Sequence, residues 1–384
     1  MTNPYRDLPD HCYWSRAVTA PQPGQIDPVV AGVTINAAAK IATMGSCFAQ
    51  HLARHVRKSG LNYYIAEPAP EGLSADEAVR RNYGTFSARY GNVYTVRQAV
   101  QLFYRAFGIF APQDDVWPKG SGFVDAFRPQ IEPAEIATID AVRKSARAHL
   151  ACVREMFMTA DWLVFTLGLT EGWASRIDGA VYPVAPGVSG GIFDPAKYEF
   201  INFGVDQVRA DLEEFITRVH QVNPSCQILL TVSPVPLVAT YEQRHVWVST
   251  TYSKAVLRVA ADEAARHFGF VHYFPSYEVI TSPAAGGAYY QDDLRQVTDL
   301  GVGHVMKLFA KHYFPDRMKP AAEQQPTAAA PPPASRAAGV ESAAGVESAA
   351  AKAAPPPPPE AVPIVCDEEA IEQALVASGF RAVA

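Results

Sequence analysis

The chain has 384 residues, 48% of them hydrophobic and 11% aromatic, which is enough to bury one substantial core and still leave room for added elements. A formal net charge of −6 removes the electrostatic case for a nucleic-acid or anionic-membrane partner and leaves a small neutral or sugar-like substrate open. No apolar run is long enough to span a bilayer, and Met-Thr-Asn-Pro-Tyr-Arg-Asp lacks the basic-then-apolar build of a secretory signal, so a cytoplasmic location is expected.

After an extension over residues 1–34, the segment Lys40 to Ala49 places Gly45-Ser46-Cys47 between a short apolar strand, Ile41 to Met44, and an amphipathic helix from about Phe48 to Ser59. A small-residue corner of this kind sets the Ser46 hydroxyl at the carboxyl edge of a sheet. The following helix N-terminus presents free N–H groups and a partial positive charge to a developing oxyanion. Residues 68–134 read as an insertion that builds a lid over that edge. Ile136, Ile139, Val142, Ala146, Leu150, Val153 and Phe157 recur at helical spacing, as do Val208, Leu212, Phe215, Ile216 and Val219, and another helix is expected over 253–267.

Between these helices, Trp162 to Leu167, Ile228 to Val232 and Val271 to Phe274 are continuous apolar runs, as buried parallel strands tend to be. The alternation predicts an α/β fold, a parallel sheet covered by helices on both faces, over residues 35–318. Residues 319–363 are rich in Ala and Pro and contain a duplicated Gly-Val-Glu-Ser-Ala-Ala, a composition that predicts a disordered tether. In the last segment, 364–384, Asp367 to Gly379 reads as a short helix that needs a partner protein or the main body to dock on. The five cysteines, Cys12, Cys47, Cys152, Cys226 and Cys366, are scattered without the spacing of a zinc site or disulfide framework.

Ligands of such sheets bind beyond the carboxyl ends of the strands, and those positions here are polar or glycine-rich. They are Gly45-Ser46-Cys47, then Gly168-Leu169-Thr170-Glu171-Gly172-Trp173, then Ser233-Pro234-Val235-Pro236, and then Pro275-Ser276-Tyr277-Glu278. Together with Asn82-Tyr83-Gly84 and Ser253-Lys254-Ala255-Val256-Leu257-Arg258, these stretches resemble the GSCFA domain over roughly residues 35–315. That family is related to the SGNH (GDSL-type) hydrolases, serine esterases and acyl transferases on a flavodoxin-like sheet in a three-layer α/β/α sandwich.

The resemblance implies acyl ester chemistry on a carbohydrate or polysaccharide ester, with no metal and no organic cofactor. It makes Ser46 the nucleophile and the Ser46 and Gly84 N–H groups the oxyanion hole, with Thr170 or Asn82 as the third donor. SGNH enzymes close with Asp-x-x-His. Here Asp293 aligns with the Asp and Gln296 stands where His is expected, and an amide has no useful basicity near pH 7. Either His304, at the start of an apolar helix, or a desolvated Glu171 or Glu278 would then serve as base. If none does, the cleft belongs to a non-catalytic carbohydrate-binding or assembly module, with the terminal helix recruiting a partner.

Other residues admit two readings. Glu171, Trp173, Glu278 and Arg258 are candidates for substrate binding, Trp173 as part of an aromatic platform and Arg258, with Lys254 one turn away, for an anionic group. A salt bridge to Glu278 or Asp293 accounts for Arg258 and Lys254 equally well. Cys47 beside Ser46 is a rival nucleophile, although Cys followed by Phe48 and Ala49 more naturally turns into the core. His51 and His55 share a helical face but lack a third metal ligand.

Overall fold

The structure, a computed structural model, describes residues 3–315 and 364–377, so the expected tether at 319–363 lies outside the described residues. In chain order the main elements begin with β1 (Ile41–Gly45), α1 (Ala49–Lys58), α2 (Ala75–Arg80), α3 (Val96–Ala106), β2 (Val116–Lys119) and β3 (Gly122–Asp125). They continue with α4 (Ile139–Thr159), β4 (Trp162–Leu167), β5 (Glu171–Ser175), β6 (Val181–Tyr182), β7 (Tyr198–Asn202), α5 (Val205–Val222) and β8 (Gln227–Val232). The last are α6 (Val246–His267), β9 (Val271–Tyr273), α7 (Ser276–Ile280), α8 (Asp299–Tyr313) and α9 (Glu369–Ala377).

The central sheet is parallel throughout, in the order β1-β4-β8-β9, with a further parallel bridge from Ile41 to Tyr63 outside β1. Counting Tyr63 as a vestigial second strand gives the 2-1-3-4-5 order of flavodoxin-like sheets. Strand side chains alternate between two cores, as a period of two requires. Ala42, Met44, Leu163, Phe165, Ile228 and Leu230 pack under α3 to α6, whereas Ile41, Trp162, Val164 and Leu229 pack under α1, α7 and α8. The result is the expected α/β architecture, with the sheet as the middle of three layers.

Local chemistry accounts for the departures from the expected elements. Ile136 continues the apolar repeat of α4 yet lies outside it, because it bridges Phe123 of β3 and because Thr138 caps the helix by accepting from Ala141 N. The helix α6 begins at Val246, ahead of the expected start. The His245 side chain accepts from Trp247 N there, and the first turn carries the exposed Trp247, so no apolar repeat marks it. A three-stranded antiparallel sheet, β6-β5-β7, follows directly from the end of β4. Within 68–134, α3 packs into the helical layer against α5 and α4, while the β2–β3 hairpin joins Tyr182 and Tyr198 in a small separate core.

Candidate active site

The corner after β1 is shaped by one glycine. Gly45 has φ +127°, and a Cβ there would lie 2.1 Å from Thr166 O on the neighbouring strand, so no other residue lets β1 and β4 end side by side. Ser46 follows, with its N–H donating to Thr166 O at 3.1 Å, and the chain enters α1. Ser46 is 2% exposed, and its hydroxyl is fully enclosed without any hydrogen-bond partner. An orphaned buried hydroxyl costs about 1–3 kcal/mol, and the Thr166 hydroxyl on the neighbouring strand is left without a partner in the same way. The alcohol expected at an open rim is therefore walled in, and its own N–H is committed to the sheet.

Gly168, just past β4, brings the next groups to this corner. Its N–H and that of Leu169 donate to Tyr94 O, and a Cβ at Gly168 would lie 2.9 Å from Tyr94 O and 3.1 Å from the Ser46 Cβ. Lys254, 1% exposed on α6, donates from Nζ to Gly168 O at 2.7 Å. Burial lowers its pKa to about 8, so the neutral amine is accessible near physiological pH. A buried hydroxyl and a buried, easily deprotonated amine thus flank one glycine.

The other expected residues are placed differently. The Asn82 amide donates to Gln130 O and Ile131 O, and Arg57 Nη1 donates to Gly84 O at 2.9 Å. Arg57 lies about 12 Å along α1 from the end that carries Ser46, given a rise of about 1.5 Å per residue. Gly84 and Asn82 are therefore not brought to the hydroxyl. It is Asn92 and Val93 that are, since Val93 N donates to Gly45 O at 2.8 Å. Thr170 is also occupied, its N–H donating to Ser253 Oγ and its hydroxyl to Asn202 Oδ1.

Asp293 is exposed and accepts from the N–H groups of Arg295 and Gln296, holding the turn that the Asp-x-x-His comparison pointed to. His304 is buried but hydrogen-bonds through Nδ1 with the Tyr289 hydroxyl at 2.8 Å, and burial lowers its pKa. It is a packing residue between α8 and the preceding loop. Arg258 pairs with Glu278 at 2.6 Å and with Asp262, and Tyr273 also donates to Glu278, so the salt-bridge reading accounts for both residues.

Glu171 and Trp173 do line a cavity of about 350 Å³, with Phe193, Phe200 and Tyr241. Glu171 accepts from Thr240 Oγ1 at 2.7 Å, and burial raises its pKa. Trp173 packs edge-on against Phe193, Phe200 and Tyr241.

The Cys366 to Glu368 segment closes the corner from outside. Gln50, in the first turn of α1, receives Val365 N on Oε1 at 3.0 Å and donates from Nε2 to Val365 O at 2.7 Å. Asn92 Nδ2 donates to Val365 O at 3.0 Å and to Asp367 Oδ2 at 2.8 Å, and Asp367 N donates to the Tyr94 hydroxyl. Arg295 binds Glu368 at 3.0 Å. The Cys366 pKa falls to about 5 through the neighbouring Cys47 thiol and Arg295, while Cys47 is pushed up.

Gln50, Asn92 and Arg295 were not expected at the site, and Lys254, expected to bind an anion or a carboxylate, meets the Gly168 carbonyl instead. For the tail contacts the sequence holds no signal. Among the described residues, no group of three or more His, Cys, Asp or Glu side chains is arranged to hold a metal ion, and no helix is long and apolar enough to cross a membrane. A comparison with curated proteins returns no match. The GSCFA family model matches residues 40–309, which include the Gly45-Ser46 corner, the Gly168 loop and Lys254, and the chain belongs to the GSCFA family.

Proposed function

We propose that the chain is a serine acyl esterase or O-acyltransferase in which Ser46 attacks the ester and Lys254 takes its proton. The observation that carries this reading is the enclosed Ser46 hydroxyl without a partner, next to Gly168, whose carbonyl oxygen accepts from the buried Lys254 amine. Serine–lysine pairs replace serine–histidine pairs when burial brings the amine into its neutral form near working pH. In this state Nζ rests on Gly168 O, and the transfer needs it to swing onto the Ser46 oxygen, a contact that commonly tightens only with substrate bound.

The acyl carbonyl then becomes tetrahedral at Ser46, and a donor such as the Asn92 amide holds its oxygen once that amide is free of Val365. Protonated Lys254 returns its proton to the leaving alcohol. Water releases the acyl group in an esterase, and a sugar hydroxyl accepts it in a transferase. The cavity of about 350 Å³ beside Glu368, with Trp173, Phe193, Phe200 and Tyr241 in its wall, supports a carbohydrate ester, because sugar rings pack on aromatic faces. Glu171 there supplies an acceptor for sugar hydroxyls.

A second reading, a carbohydrate-binding or assembly module without catalysis, is favoured by Gln296 in the place of the expected base and by His304 bound to Tyr289. The two part on one experiment. If the chain is an enzyme, then once the Val365–Glu368 segment is displaced from the corner fluorophosphonate labels Ser46 and p-nitrophenyl acetate is turned over, and Ser46→Ala and Lys254→Met remove both. A module does neither, yet binds oligosaccharide in a manner that Trp173→Ala weakens.

A further inference from the structure

The polar side chains around Ser46 are arranged for a main chain. Gln50 meets both the N–H and the C=O of Val365, as one peptide group meets another across a strand pair. Asn92 reinforces the same carbonyl, and the Tyr94 hydroxyl receives the N–H of Asp367 two residues on. Two carboxylates are read as well, Asp367 by Asn92 and Glu368 by Arg295. Cys366, Asp367 and Glu368 are all buried, although the segment is joined to the body only through residues 316–363. Burying two acidic side chains is costly without partners, and here each has one from the body.

We propose that the mouth of the Ser46 cleft is a peptide-binding groove for an acidic segment that turns into a helix, and that the chain's own Val365–Glu368, leading into α9, is its tethered occupant, which must leave before Ser46 meets a substrate. The placement of the contacts supports the second half. Cys47 follows Ser46, Gln50 lies one helical turn on, Asn92 precedes the residue bonded to Gly45, and the Tyr94 carbonyl accepts from Gly168 N, so an occupant held by Gln50, Asn92 and Tyr94 sits at the Ser46 corner. Ile371 and Glu368 also reach the wall of the aromatic cavity. Covalent attachment raises the local concentration of the segment, which makes a weak groove substantially filled. The groove rests on backbone and carboxylate recognition and stands independently of acyl chemistry at Ser46.

The two sulfurs give a direct probe. Diamide takes two electrons and two protons from the Cys47 and Cys366 thiols, forming one S–S bond and becoming a hydrazine, only when the tail is seated. The full-length chain should yield the Cys47–Cys366 disulfide on peptide mapping. Full-length Val365→Pro/Glu368→Arg removes the N–H given to Gln50 and sets like charge against Arg295, without touching the body, and should lose that disulfide. A fluorescein-labelled synthetic peptide of residues 364–377 should bind this variant at least about tenfold more tightly than it binds the unaltered chain, whose groove is already filled.

The same peptide carrying both substitutions should not bind. Equal binding of the native peptide to both chains, or no Cys47–Cys366 disulfide in the unaltered chain, overturns the proposal. If the peptide binds as expected but Ser46 in the variant stays inert to fluorophosphonate, the groove stands and the serine chemistry falls.

Discussion

Lys254 and His304 are both buried bases on helices that flank the sheet, yet they end in opposite surroundings. Lys254 meets a carbonyl whose glycine touches Ser46, whereas His304 meets a tyrosine hydroxyl between α8 and the loop before it. The more familiar catalytic residue type is the one that packs, and the one expected to bind an anion or a carboxylate is buried at the Gly168 corner. What separates them is steric. Gly45 and Gly168 let backbone approach backbone at the ends of β1 and β4, so the Gly168 carbonyl that Lys254 meets belongs to a residue packed against Ser46.

The contrast is broken or sharpened by substitutions made in the chain opened by Val365→Pro/Glu368→Arg, whose effects should fall in a definite order. The largest belongs to Ser46→Ala, which should lower esterase turnover more than about a thousandfold while leaving the melting temperature unchanged or raised, since it deletes a hydroxyl with no partner. Lys254→Met comes next, with a loss of roughly a hundred- to ten-thousandfold in kcat/KM if the amine is the general base. On the other side, His304→Gln should keep turnover within about threefold and cost about 1 kcal/mol of stability in a urea titration, as the Tyr289 hydroxyl loses its partner. Should the histidine variant lose activity and the lysine variant keep it, the assignment of the two bases is reversed.

The pH profile tests the same contrast more finely. The reactive form of Lys254 is the deprotonated one, so with its pKa at about 8 the rate should be low at pH 6 and rise through pH 8 towards a plateau. A free histidine base would already plateau below that range, because its ordinary pKa is about 6.5. Smaller still is the effect of Trp173→Ala, which should raise KM for an aryl or sugar ester by roughly tenfold with kcat little changed, having removed one wall of the cavity.

Much of the fold was legible in the sequence. The continuous apolar strands from Ile41, Trp162 and Ile228 and the helical repeats from Val208 follow from periodicity alone, and so does the polar character of the strand ends. The early turns of α6 and the removal of Ile136 from α4 were not legible, since a local cap and a bridge to Phe123 overrode the pattern. At the site, the Gly45-Ser46 corner was readable because its chemistry is local. The meeting of Lys254 with Gly168, and of Cys47 with Cys366, depends on long-range packing that no spacing along the chain encodes. Asn82 and Gly84 illustrate the converse, a suggestive Asn-Tyr-Gly stretch whose side chain and backbone are held by Gln130, Ile131 and Arg57 instead.

The most direct test of the central claim is the rate at which a fluorophosphonate modifies Ser46 in the full-length Val365→Pro/Glu368→Arg chain, followed by intact mass and peptide mapping from pH 6 to pH 9. A single adduct on Ser46, forming faster as pH passes about 8 and absent from the same chain bearing Lys254→Met, is the predicted result. An unmodified Ser46 across that range, or labelling that ignores Lys254, contradicts it.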